Sequence, residues 1–222
     1  MRHSTTVFEV PMDTECGSFG RAGANLLSVS APRASFPAAT IAKTVVFAAF
    51  IAVLGIFPGF YVGGSGVPIV IQNIGPPLVG AILGARRATA SVLLLLALTA
   101  VGLPLLSGGR GGIAPFIGPS GGFLLGWPLS ALVVGLVVER ARRRVFRVLL
   151  AAIALGVLVD YTIGVPFLWA YTGDLTAAVV GSLVFVPGDI AKTVIAAAVA
   201  AVLHRALPDT LTVPASGSST TP

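Results

Sequence analysis

Between residues 40 and 203 the chain is a succession of long apolar runs separated by short polar breaks. Six runs stand out, at 40–57, 68–83, 88–106, 122–138, 145–169 and 175–203. Runs of this length with so little charge predict membrane-crossing helices, which need about 20 apolar residues for a ~30 Å hydrocarbon layer. Several fall slightly short, which predicts a compact bundle with thin or broken helices. The last is too long for one straight crossing, and Pro187-Gly188 is its expected break. Residues 175–186 then form an outer-side segment and the final helix starts near Asp189. The predicted fold is an all-α membrane protein of six transmembrane helices, one domain over 40–205.

Composition agrees. The 222 residues are 55% hydrophobic and 10% charged, with a mean hydropathy of +0.97, whereas soluble domains carry about 25% charged residues. Residues 1–39 lack the 7–15-residue apolar core of a cleaved signal peptide. They are expected to form a mostly disordered cytoplasmic extension, and 206–222, rich in Ser, Thr and Pro, a flexible cytoplasmic tail. The single cysteine, Cys16, excludes an internal disulfide and a cysteine-based metal cluster.

Charge then assigns orientation. The net charge of +6 resides mostly in arginines placed in short loops, which reads as a topology signal in a lipid bilayer, with no nucleic-acid partner. Arg33 and Lys43 precede or open the first span, and the connection 58–67 carries no charge. Arg86 and Arg87 fill the second connection, and Arg110 alone the third. Arg140, Arg142, Arg143, Arg144 and Arg147 crowd the fourth, Asp174 alone marks the fifth, and Arg205 follows the last span. The alternation predicts both termini in the cytoplasm, with connections 58–67, 107–121 and 170–175 outside.

The candidate chemistry gathers on the outer side. Asp189 and Lys192 form an i,i+3 carboxylate–ammonium pair inside an apolar stretch. Charges at membrane depth cost several kcal/mol unless paired or solvated, so such pairs mark substrate or ion sites. The competing reading makes Asp189 a helix N-cap after Pro-Gly, which leaves Lys192 among Ala and Val unexplained. Asp160, beside Tyr161, is a third ionisable candidate, or a partner for Lys192. Arg110 and Gly111 sit in a glycine-rich loop, Ser107-Gly108-Gly109-Arg110-Gly111-Gly112-Ile113, where a guanidinium suits a carboxylate held by two hydrogen bonds. A solvated loop charge beside flexible filler is the plain alternative. Gly118, Gly121 and Gly122 open the fourth span, either as space for a planar ligand or as packing glycines. Gln72 and Asn73 are amides that bond either a ligand or a neighbouring helix.

Enzymatic readings fare poorly. Gly118-Pro119-Ser120-Gly121 has the short pattern of intramembrane serine proteases, and His204 lies on the last span. Ser120 is at the outer end of its helix, however, while His204 is fifteen residues beyond Asp189, roughly 22 Å deeper at 1.5 Å per residue. A base must lie within ~3 Å of its nucleophile, so the dyad fails. No phosphate-binding G-x-x-x-x-G-K-[ST] motif precedes Lys192-Thr193, and no cluster has metal-ligand spacing. No cofactor is expected.

Three ordered motifs carry a family resemblance: Gly102-Leu103-Pro104 with its glycine-rich loop, Gly118-Pro119-Ser120-Gly121-Gly122-Phe123, and Phe185-Val186-Pro187-Gly188-Asp189-Ile190-Ala191-Lys192. Val67-Pro68-Ile69-Val70-Ile71-Gln72, Gly80 and Leu83-Gly84 match more loosely. Over about residues 40–205 the chain resembles the BioY family, the biotin-binding S components of energy-coupling factor (ECF) transporters. The resemblance implies a non-enzymatic plasma-membrane protein that captures external biotin with high affinity. It implies as partners a transmembrane T component and two cytoplasmic ATPases, consistent with the missing phosphate loop. It places Asp189 and Lys192 against the biotin head group, whose ureido ring offers two N–H donors and one carbonyl acceptor. Arg110 is the expected partner of the valerate carboxylate, from its charge and side. Ala48 and Ala52 match the small-residue motif that docks the T component, a spacing common in Ala-rich helices. Two features depart from the family pattern: the long stretch 1–39, and Asn73 in place of a small or β-branched residue. An S component for another vitamin, a solitary biotin permease and a hydrolase using Ser120 are the competing readings.

Overall fold

The computed structural model describes residues 38–61 and 67–206; the predicted extension and tail lie outside these, apart from Ala38, Ala39 and Ala206. Among the described residues the architecture is helical. Its helices are α1 (Ala38–Leu54), α2 (Gly75–Leu83), α3 (Ala85–Ala100), α4 (Ala114–Ile117), α5 (Gly121–Arg140), α6 (Phe146–Thr172), α7 (Leu175–Leu183) and α8 (Val186–Ala206). A two-residue antiparallel pair, β1 (Phe60–Tyr61) with β2 (Pro68–Ile69), and a 3-10 turn at Gln72–Ile74 precede α2. Three helices, α5, α6 and α8, are long and apolar enough to cross a membrane, and α1 is a shorter apolar helix.

The second predicted span takes a different form. Residues 68–83 become a strand, a 3-10 turn and the nine-residue α2, about 13 Å long at 1.5 Å per residue and too short for a ~30 Å layer. Every residue of α2 is buried, so its apolar run reflects the protein core rather than contact with lipid. Gly84, at φ 79°, separates α2 from α3. Arg86 and Arg87 consequently lie in the first turn of α3 rather than in a connection. Glu139 of α5 caps that turn from across the bundle, its Oε1 accepting the Ala85 N–H at 2.7 Å. This satisfies one of the donors left free at a helix start.

The break in the last run is also displaced. It falls between Leu183 and Val186, and Pro187 and Gly188 enter the first turn of α8. Proline is tolerated there because first-turn N–H groups have no intrahelical partner. Asp189 is therefore already inside the helix, its N–H donating to the Phe185 carbonyl at 2.9 Å. Its carboxylate is not used as an N-cap.

Helix α5 is the hub, packed on α2, α3 and α6, with α8 against α6 and α1 against α3. Ile51, Val79, Leu95, Val134, Leu149 and Ile153 fill the core. Close approach depends on missing side chains: a Cβ on Gly122 would lie 2.3 Å from the Phe167 Cβ. One on Gly135 would lie 2.3 Å from the Ala85 nitrogen. Both distances are sterically forbidden, so these glycines set the helix spacing.

Candidate functional site

One cavity joins the motif residues. It is walled by β2 and the turn after it, the loop between α3 and α4, and α5, α6 and α8, with about 610 Å³ of atom-free space including its mouth. Phe123 lines it, edge-on to Tyr161 with ring centroids 6.1 Å apart and to Phe185 at 6.3 Å. Trp127, four residues on, shares that face of α5 and also lines the cavity. The result is an aromatic wall suited to a flat apolar ring.

Polar groups converge on it from α6 and α8. Lys192 Nζ lies 2.9 Å from Asp189 Oδ1, and the Tyr161 hydroxyl donates to Asp189 Oδ2 at 2.8 Å. The aspartate is 5% exposed. Burial of this pair in a helix bundle demands that each charge be compensated, and the Tyr161 bond supplies part of that. Asp160, also on the cavity, is 3% exposed, and its Oδ1 has no hydrogen-bond partner among the described residues. It does not pair with Lys192, which is committed to Asp189.

The glycine-rich loop is a structured turn. Gly108, Gly109 and Gly112 have φ of 78°, 72° and 76°, a backbone region other residues rarely enter. Leu106 and Arg110 exchange backbone hydrogen bonds, and the Gly112 N–H donates to the Thr99 carbonyl at 2.7 Å. This folds Arg110 back to the cavity. Its Nε donates to the Ser107 carbonyl at 3.1 Å, and Nη1 lies 3.4 Å from Ser120 Oγ. Ser120 has Arg110 and the Pro115 carbonyl as its neighbours. His204 instead bonds the Ala81 carbonyl at 2.8 Å, so Ser120 and His204 form no dyad.

Both amides line the cavity but differ in their hydrogen bonds. Gln72 is 1% exposed, and its Nε2 donates to the carbonyls of Ile51 and Leu105 at 3.1 and 2.8 Å. Its Oε1 accepts the Ser107 N–H at 2.9 Å. Gln72 thus ties α1 to the loop that carries Arg110, with its hydrogen-bonding capacity largely used. Asn73 lines the cavity half-buried, and its side chain has no hydrogen bond among the described residues.

The glycine candidates lie elsewhere. Gly121 packs against Phe116 and Phe167, and Gly122 against Phe167 and Ile163. Gly118 is near the Ala114 carbonyl, and Gly111 is tight against Leu103. All four support helix and loop packing outside the cavity lining. Ala48 is buried in the bundle and Ala52 packs against its core, so this face of α1 is turned inward. The aromatic wall went unpredicted as a unit. Its signal was present in Phe123 and Phe185, both inside the quoted motifs, and in Trp127 one turn beyond Phe123.

Comparison with known proteins gives a consistent answer. Residues 27–209 match the BioY family. A protein named biotin transporter BioY from Rhizobium etli is 43% identical over 162 residues, covering 69% of this chain and 87% of its own. Another of that name from Rhodobacter capsulatus is 41% identical, covering 75% and 93%. The crystal structure of the S-component for biotin from an ECF-type ABC transporter superposes with a TM-score of 0.70 at 32% identity. It covers 75% of this chain and 90% of its own. The agreement of family match, relatives and fold shows that this chain belongs to the BioY family.

Proposed function

We propose that this chain is a membrane subunit that captures external biotin and passes it to the cytoplasm. The observation that carries this reading is the Asp189–Lys192 pair, braced by Tyr161 and set at an aromatic-walled cavity in a member of the BioY family. A carboxylate and an ammonium match the N–H donors and carbonyl acceptor of a ureido ring. The aromatic wall accommodates the fused thioether ring, and Arg110 receives the valerate carboxylate.

Orientation follows from the arginines. Arg86 and Arg87 start α3 where Glu139 caps it, Arg140 ends α5, Arg147 opens α6, and Arg205 is in the last turn of α8. His204 on that last turn meets the end of α2. One end of the bundle therefore collects the positive charge, and we place it, with both termini, on the cytoplasmic side of the plasma membrane. In this reading the chain crosses the bilayer six times: through α1, α3, α5, α6 and α8, and through residues 68–83, where β2 and the 3-10 turn complete the path that α2 alone is too short to make. Release of biotin inside is driven by an ECF T component and two ATPases.

Biotin titrated into the detergent-purified protein tests the site. The wild type binds tightly and carries biotin through purification, while Asp189→Asn and Lys192→Ala lose binding yet remain folded. Unchanged affinity in both variants would sink the assignment. Radiolabelled uptake with and without the T component and its ATPases tests the partner module, and uptake independent of them removes it.

A further inference from the structure

The cavity holds one acidic group that no neighbour satisfies. Asp189 already accepts from two donors, Lys192 on Oδ1 and Tyr161 on Oδ2. Asp160 accepts from none: its side chain has no hydrogen bond among the described residues, although it is 3% exposed and lines the same cavity. The placement is built in. Asp160 Oδ1 occupies the notch left by Gly126 on α5, where a Cβ would come within 2.8 Å of it. A buried acceptor without a donor is costly, and in membrane proteins such groups mark sites of function. A ligand presenting a donor removes that cost on binding.

Resting on the biotin reading above, we propose that the site grips the ureido ring between two carboxyl groups on different helices. Asp189 of α8 accepts one ring N–H, Lys192 donates to the ring carbonyl, and Asp160 of α6 accepts the second ring N–H. The donor and acceptor count closes: two N–H groups meet two carboxyl oxygens, and one carbonyl meets one ammonium. Asp160 is thereby a specificity-determining residue. It makes the pocket reject rings that lack the second donor, because its carboxyl group would again be buried and unpartnered.

The test uses the full-length protein and two cyclic carbamate analogues of biotin, each with a different ring N–H replaced by oxygen. This removes a donor without adding bulk. Wild-type protein should bind biotin at least about tenfold more tightly than either analogue. Asp160→Leu should weaken biotin about tenfold and erase discrimination against one analogue while keeping it against the other. Indifference of the wild type to either replacement overturns the proposal, and that arm needs no variant. So does an Asp160→Leu protein that keeps biotin within about twofold of wild type, or that still discriminates fully against both analogues. The latter results would make Asp160 a buried group of the α5–α6 packing seam. If Asp160→Leu does not fold, Asp160→Asn decides: discrimination against one analogue falls to a few-fold, and full discrimination against both overturns the proposal. Failure of wild-type protein to bind biotin at all is a different result, and removes the functional reading itself.

Discussion

The Tyr161 hydroxyl and Asp189 Oδ2 meet at 2.8 Å, joining α6 to α8 at the cavity. This bond fixes the rotamer of the carboxylate that also holds Lys192. Tyr161→Phe keeps the aromatic contact with Phe123 and removes only the hydroxyl. Hydrogen bonds to charged groups are worth about 1.5–3 kcal/mol. Biotin affinity should fall about tenfold with the fold retained, as read by titration calorimetry; equal affinity would show that the bond positions nothing.

Stability and binding should separate at the ion pair. Asp189→Asn or Lys192→Met alone strands a largely buried partner charge, at a cost on the order of 3 kcal/mol. The double variant removes both charges and should recover most of that loss in thermal unfolding, while biotin binding stays absent. A double variant no more stable than the singles would show that the two charges are not energetically coupled.

Gln72 is expected to act on the ligand only through the loop. Gln72→Leu leaves the Leu105 carbonyl and the Ser107 N–H without their partner. Each buried group so orphaned costs about 1–3 kcal/mol. Hydrogen exchange at residues 103–110 should accelerate, and biotin should bind more weakly. Unchanged exchange with lost binding would instead mean that Gln72 touches the ligand directly.

Two glycines on one face of α5 should give opposite signatures. Gly122→Ala forces a methyl against Phe167 and should cost about 1–3 kcal/mol of stability. Gly126→Ala presses on the Asp160 carboxyl group, so its larger effect should be on biotin affinity, compared by melting and titration of the same preparations. A reversed pattern would refute the separate packing and binding roles.

Much of this was readable from the residues in order. Apolar runs located α1, α3, α5, α6 and α8, because a helix at membrane depth cannot conceal its composition. Asp189 and Lys192 were conspicuous for the same reason, and their i,i+3 spacing alone brings them together. The run at 68–83 is helical only over Gly75–Leu83, because an apolar stretch reports burial without specifying how its backbone folds. Pro187-Gly188 misled because proline breaks a helix interior but suits its first turn.

The sequence by itself determined the membrane class, the positions of most helices and the charged pair. Only the tertiary structure decided what surrounds that pair. Tyr161 reaches Asp189 from 28 residues away, Gln72 pins a loop 35 residues distant, and Asp160 is left without a donor in a notch made by Gly126. Linear spacing fixes which groups share a helix face. Which groups meet across helices depends on close packing, set here by glycines whose neighbours are distant in the chain.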